Sequence, residues 1–306
     1  MNFREVSQRV FRNGGVSLIL GLLILPTPGW VTEISGAPAL RPDEKLPTDF
    51  TNHLNRLRAK LPAGFTWVWQ SPFFVVGDEP AARVRSHATN TVNWAVTLLK
   101  RDYFTRDPVQ TIDIWLFRDK ASYEKHMQEL FDETPISRFG YYSRQHRSLF
   151  MNISTGAGTL VHEIVHPFME ANFPECPPWY NEGLASLYEA SNEANGHIRG
   201  LVNWRLKGLE SAVQEKRVMS FEKLLALGDS EFYGGTTGYS ENYAQARYLC
   251  YYLQEHDLLV HFHREFVANA KLDRTGVATL RKVLKVDDLE SFRAKWQAFI
   301  LKIRNP

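Results

Sequence analysis

Apolar residues crowd together in FTWVWQSPFFVVGD, residues 65–78, where β-branched and aromatic side chains flank Pro72. Such a run predicts a strand, bent or broken where proline withdraws its N–H. From Pro80 to about Phe104 the spacing suits a long helix with a proline in its first turn. TIDIWLF at 111–117 reads as a strand, and DKASYEKHMQELF at 119–131 as a helix with Asp119 or Ser122 near its start. GYYSRQHRSLFMNIS at 140–154 reads as a hairpin or two short strands. Residues 60 to 155 therefore predict β-α-β-α-β-β, with helices packed on a small sheet.

Beyond Thr155 the strand patterns stop. The remainder predicts helices at about 158–172, 180–192, 200–216, 220–227, 241–255, 258–270 and 288–303, with a glycine-rich loop, GDSEFYGGTTGYSEN, at 228–242. The expected class is α+β, with an α/β lobe at 60–156 followed by a mostly helical lobe at 157–306. Residues 40–59 read as a polar, proline-punctuated linker and leading segment.

The amino terminus reads differently. Arg4, Arg9 and Arg12 precede VSLILGLLIL, an apolar run that stops at Pro26. Ten helical residues rise only about 15 Å, half a bilayer core. That length fits a signal-peptide core better than a spanning helix. An A-x-A match at Ala37-Pro38-Ala39 permits cleavage before Leu40. Residues 1–39 are thus expected as a signal peptide or an uncleaved anchor, and the body as exported, periplasmic or extracellular. Contact with a membrane is expected only through that segment.

Composition narrows the function. The chain has 306 residues, 44% apolar and 23% charged, with a net charge of +2 and both signs interleaved. That balance gives no footprint for nucleic acid. Its two cysteines, Cys176 and Cys250, leave one disulfide or two buried thiols equally open.

The chemistry concentrates in VHEIVHPFMEANFPECPPWYNEGLASLYE, residues 161–189. Positions i and i+4 of a helix share a face, so His162 and His166 can reach one metal ion, with Glu163 beside it as a general base. Sixteen residues on, Glu182 opens a second helix after the proline-rich reversal PECPPW. Folded back, that helix would present Glu182 to the same ion, and Gly183 would let the two backbones approach closely. Two imidazoles and one carboxylate with a fourth position open is a catalytic rather than a structural donor set.

H-E-x-x-H at 162–166, followed by W-x-N-E-G-L-A at 179–185, resembles the gluzincin metallopeptidases, most closely the bacterial peptidase MA-like proteins. The resemblance implies a zincin-like fold with the metal site at the junction of the two lobes, one zinc ion on His162, His166 and Glu182, and a peptide or protein substrate. It also implies Glu163 as the base that passes a proton to the leaving amine. Zinc would lower the pKa of water from about 15.7 towards 7 and polarise the scissile carbonyl. Two departures stand out. Pro167 follows the second histidine and should kink or shorten the helix. Ser186 stands where the thermolysin branch has an acidic residue, so Asn181 or Glu189 is expected to orient the histidines.

Gluzincins commonly supply an oxyanion donor from the helical lobe. Tyr243, opening the helix after the glycine-rich loop, is the first candidate, and Tyr239 the second. Cys250 lies seven residues on, near the same face, where a bond to Cys176 would tie that helix to the ligand loop. His261 and His263 diverge on a helix and read as packed or solvated. Arg199 and Arg205 are candidates for binding a substrate carboxylate but read first as surface or salt-bridge residues, while Trp179 and Tyr180 fit either the core or a cleft wall. A non-catalytic, metal-containing envelope factor is the alternative, but it has no need of Glu163. A metal-free scaffold with chance histidines is a third.

Overall fold

Strands β1 (Thr66–Gln70) and β2 (Phe73–Gly77) run antiparallel, with Trp69 opposite Phe74. The one bent or broken strand expected there is two strands of a hairpin, divided at Pro72. The chain reverses at Ser71–Pro72, whose peptide is cis, and Pro72 has no N–H to continue a ladder. β2 pairs parallel with β3 (Ile112–Phe117), and β3 parallel with β5 (Ser148–Asn152). β4 (Gly140–Ser143) lies antiparallel to β5, giving a mixed sheet of order β1-β2-β3-β5-β4.

This computed structural model describes residues 49–234 and 238–304, with the backbone alone at 238–240. The described residues belong to one compact unit. The signal or anchor expected in 1–39 lies outside them, as do residues 40–48 of the linker. No helix among the described residues is long and apolar enough to cross a membrane.

β2, β3 and β5 are buried along their whole length because helices cover both faces of the sheet. Alternate residues divide between two cores. Phe74, Val76, Trp115, Phe117 and Phe150 meet Leu57 of α1 (Phe50–Lys60) and Tyr123 and Met127 of α4 (Lys120–Phe131). α1 falls partly in the expected linker; its buried stripe is only His53 and Leu57, too sparse to read as amphipathic. α4 is capped by Asp119, whose carboxylate accepts from the Ser122 N–H.

On the other face, Val75, Ile114, Leu116, Leu149 and Met151 meet the long helix and α5. The long helix runs as α2 (Ala81–His87), a π-helical stretch (Ala88–Asn93) and α3 (Trp94–Asp102). α5 (Ala157–Asn172) drives Leu160, Ile164, Val165 and Phe168 into this core. Each such burial is worth roughly 1.5–3 kcal/mol, which fixes the helix that carries both histidines. Pro167 does not end it; the helix continues for five more residues, to Asn172.

α6 (Pro178–Leu187) starts with prolines at its N-cap and first turn and ends before the expected boundary at 192. A hairpin follows, β6 (Ser191–Ala194) and β7 (His197–Gly200), where no strand was expected. Its two-residue loop, Asn195-Gly196, has φ of 52° and 81°, the positive pair that such a tight turn demands. The rest is helical: α7 (Arg205–Gln214), α8 (Phe221–Ala226), α9 (Asp229–Phe232), α10 (Gly238–Glu255), α11 (Leu259–Asn269), α12 (Val277–Leu284) and α13 (Leu289–Ile300). α9 takes up part of the expected glycine-rich loop, and α12 was not anticipated.

α6 lies tightly on α10. A Cβ at Gly183 would stand 3.0 Å from the Ala246 carbonyl oxygen and 3.0 Å from Cys250 Sγ. The close approach expected at Gly183 is therefore to α10, not to α5. Arg247, fully buried on α10, donates from Nε to the Ser186 carbonyl at 2.9 Å and from Nη2 to the carbonyls of Leu187 and Leu201. A guanidinium there satisfies carbonyls that the end of α6 leaves open.

Candidate metal centre

α5 and α6 bring the sequence-derived ligands together. His162 Nε2 lies 3.3 Å from Glu182 Oε2, and His166 Nε2 lies 3.9 Å from the same oxygen. One donor atom from each of the three residues falls within 4.8 Å of the others. His162 and Glu182 are buried and His166 partly so. Glu163 Oε2 stands 3.8 Å from His166 Nε2, beside the trio and facing the same cleft.

The outer contacts set the proton positions. His166 Nδ1 meets Asn181 Oδ1 at 3.1 Å. An amide oxygen there accepts a hydrogen bond from Nδ1–H, which leaves Nε2 with a lone pair aimed at the cluster. His162 Nδ1 lies 3.3 Å from Glu189 Oε1, close but off the line of a hydrogen bond. Glu189 is itself held by Arg205, with Nε to Oε2 at 3.0 Å and Nη2 to Oε1 at 2.6 Å, and by Asn203 Nδ2 at 3.1 Å. Arg205 is thus a salt-bridge partner, as its sequence suggested, and so is Arg199, which donates to Glu255 at 2.8 Å.

These residues fit a metal ion. Glu182 Oε2 is buried and accepts no hydrogen bond, although it faces two imidazole nitrogens. An acceptor left bare in the interior is costly; a cation among the three donors would satisfy it. Two nitrogens and one carboxylate oxygen form a donor set suited to zinc.

Charge in the site follows from burial and neighbours. Burial by itself would raise the Glu182 carboxyl, but His166, His162 and the Tyr233 hydroxyl together lower it to about 2. Glu189 is likewise held at about 2, burial being outweighed by His162 and Arg205. Burial would lower His162, yet Glu182 and Glu189 hold it well above the ordinary range. Glu163 goes the other way: burial raises it, and the two imidazoles only partly offset this. A carboxylate with raised basicity beside the ligands is suited to accepting a proton.

The trio opens on a cleft of about 1170 Å³. Tyr243 is buried on its wall, packed against Phe232 and Tyr233, with the Arg205 guanidinium 5.3 Å from its ring centre. The Tyr239 side chain lies outside the described residues. Tyr233, which the sequence did not single out, donates its hydroxyl to Glu182 Oε1 at 2.8 Å. Nothing in E-F-Y-G-G marks it among the chain's twelve tyrosines, and the contact arises only because α9 turns that segment over α6. Cys176 and Cys250 are free thiols, so the bond between them is not formed. Trp179 and Tyr180 belong to the core. His263 is packed against Tyr180, 3.1 Å from its hydroxyl.

A family model described as a protein of unknown function (DUF1570) matches residues 156–272, the stretch that carries all four residues of the H-E-x-x-H and Glu182 set. A DNA polymerase gamma from Saccharomyces cerevisiae is 28% identical over 184 residues, covering 57% of this chain. The chain spans only 14% of that polymerase's length.

Proposed function

We propose that the chain is a zinc-dependent metallopeptidase of the gluzincin type, zincin-like in fold, similar to the peptidase MA-like proteins and acting on peptides or proteins outside the cytoplasm. One observation carries the reading: the Nε2 atoms of His162 and His166 converge on an unpartnered, buried Glu182 oxygen, with Glu163 alongside. His162, His166 and Glu182 would hold the zinc, which when bound supplies Lewis acidity for activating water and polarising a carbonyl. Asn181 fixes the His166 tautomer, the Glu189 carboxylate stands against His162 Nδ1, and Tyr233 steadies the third ligand through Oε1. Glu163 takes the proton of the attacking water and returns it to the leaving amine nitrogen. Tyr243, on the cleft wall, is proposed as the donor to the developing oxyanion.

The test is metal analysis of the purified chain together with peptide-library turnover. Glu163→Gln should keep its zinc and lose about 10²- to 10⁴-fold in kcat, while His162→Ala should lose the zinc itself. Full turnover by Glu163→Gln would sink the assignment. Zinc retained by a wild type that turns nothing over would move the reading to a non-catalytic metal-holding factor.

A further inference from the structure

Eight large apolar side chains are exposed among the described residues, and four of them, Ile136, Phe139, Trp204 and Tyr233, line the metal-site cleft. Single exposed apolar residues need no explanation; a concentration around one trough marks a surface that a ligand covers. They come from three separate stretches of chain: the run into β4, the start of α7 and the end of α9.

Three arginines line the same cleft. Arg144 pairs with Glu170 at 3.2 Å and Arg205 with Glu189 at 2.6 Å. Arg138 has no carboxylate partner among the described residues; its guanidinium lies 4.5 Å from the centre of the Phe139 ring. The backbone under both is fixed. Asn152 N donates to the Phe139 carbonyl at 3.0 Å, Asn152 Nδ2 to the Arg138 carbonyl at 3.2 Å, and Phe139 N to Ser137 Oγ at 3.2 Å. A fixed turn therefore presents a cation stacked on an aromatic face, with five N–H donors unclaimed by any acid. A guanidinium so placed is suited to gripping a carboxylate with two parallel hydrogen bonds.

We infer that the cleft recognises a polypeptide by two features together: a bulky apolar side chain laid against Phe139, and a carboxylate paired with Arg138. The chemistry performed on that polypeptide rests on the peptidase reading; the recognition does not. The carboxylate comes from an aspartate or glutamate side chain or from the polypeptide's own C-terminus.

The experiment uses the full chain carrying Glu163→Gln, so that binding is read without turnover, and four labelled peptides sharing one phenylalanine-containing sequence. The first has an internal glutamate and an amidated end; the second, glutamine there and a free C-terminal carboxylate. The third has glutamine and an amidated end, and the fourth lysine and an amidated end. At least one carboxylate peptide should bind about fivefold more tightly than the neutral third, and Arg138→Gln should abolish the difference. Arg138→Glu should turn the preference to the lysine peptide. A preference for the first places the carboxylate on a side chain, and for the second at the C-terminus. Four equal affinities, no binding at all, or a preference that survives Arg138→Gln would overturn the inference. Wild-type turnover without the carboxylate preference removes this inference and leaves the peptidase reading standing. The preference without turnover does the reverse.

Discussion

Glu189 ties the charges of the candidate metal centre to the arginine behind it. It stands between His162 and the Arg205 fork, and its carboxyl is held at about 2 against an ordinary 4.5. A depressed carboxyl contributes stability that is fully present above about 4.5 and is lost as pH falls through about 2. Denaturant unfolding of the metal-free chain should therefore show an acid limb across that window, and Glu189→Gln should shrink it, leaving the share that Glu182 contributes. The same substitution loosens His162, so zinc affinity at neutral pH should fall about 10- to 100-fold in a chelator competition. Asn181→Ala should do likewise through His166. Unchanged zinc affinity in both variants would mean that these contacts do not orient the imidazoles.

At the scale of elements, the join between α5 and the end of α6 leaves no room. A Cβ at Gly158 would stand 2.0 Å from the Glu189 carbonyl oxygen, a backbone atom that cannot swing aside. Gly158→Ala should cost roughly 1–3 kcal/mol in urea unfolding; a neutral result would show that the two helices slide freely. The ligand helices themselves were legible because their chemistry imposes a spacing. An i, i+4 histidine pair needs a helix, and Pro177 and Pro178 force a reversal before Glu182. The β6–β7 hairpin is not legible in the sequence, because two strands of four residues with Ile198 as their one large buried apolar side chain are too short to show a period. Its one signal, Asn195-Gly196, falls in the short gap between the helices expected at 180–192 and 200–216, where a connecting turn between helices accounts for it equally well. α1 escaped for the same reason, with two buried residues in eleven. Tyr233 and Arg138 could not be found at all, since their place on the cleft depends on how distant segments fold over it.

For the whole molecule, the donors of the candidate metal centre lie on two helices that are packed against different partners, α5 on the sheet and α6 on α10. A ligand that joins them should stabilise the folded chain as a unit. Chelation should lower the thermal midpoint in one cooperative transition, and added zinc should restore it; a midpoint indifferent to zinc would count against a site that spans both helices. Titration of the denatured, unreduced protein should return two thiols, Cys176 and Cys250. Arg247 adds something further. Its guanidinium is enclosed by the carbonyls of Ser186, Leu187 and Leu201 and has no acid in hydrogen-bond contact, yet its field reaches Glu189. The interior thus carries a permanent counter-ion behind a socket rich in acid groups. Glu189 thus keeps a fixed cation within reach of its charge whether or not an ion sits among His162, His166 and Glu182.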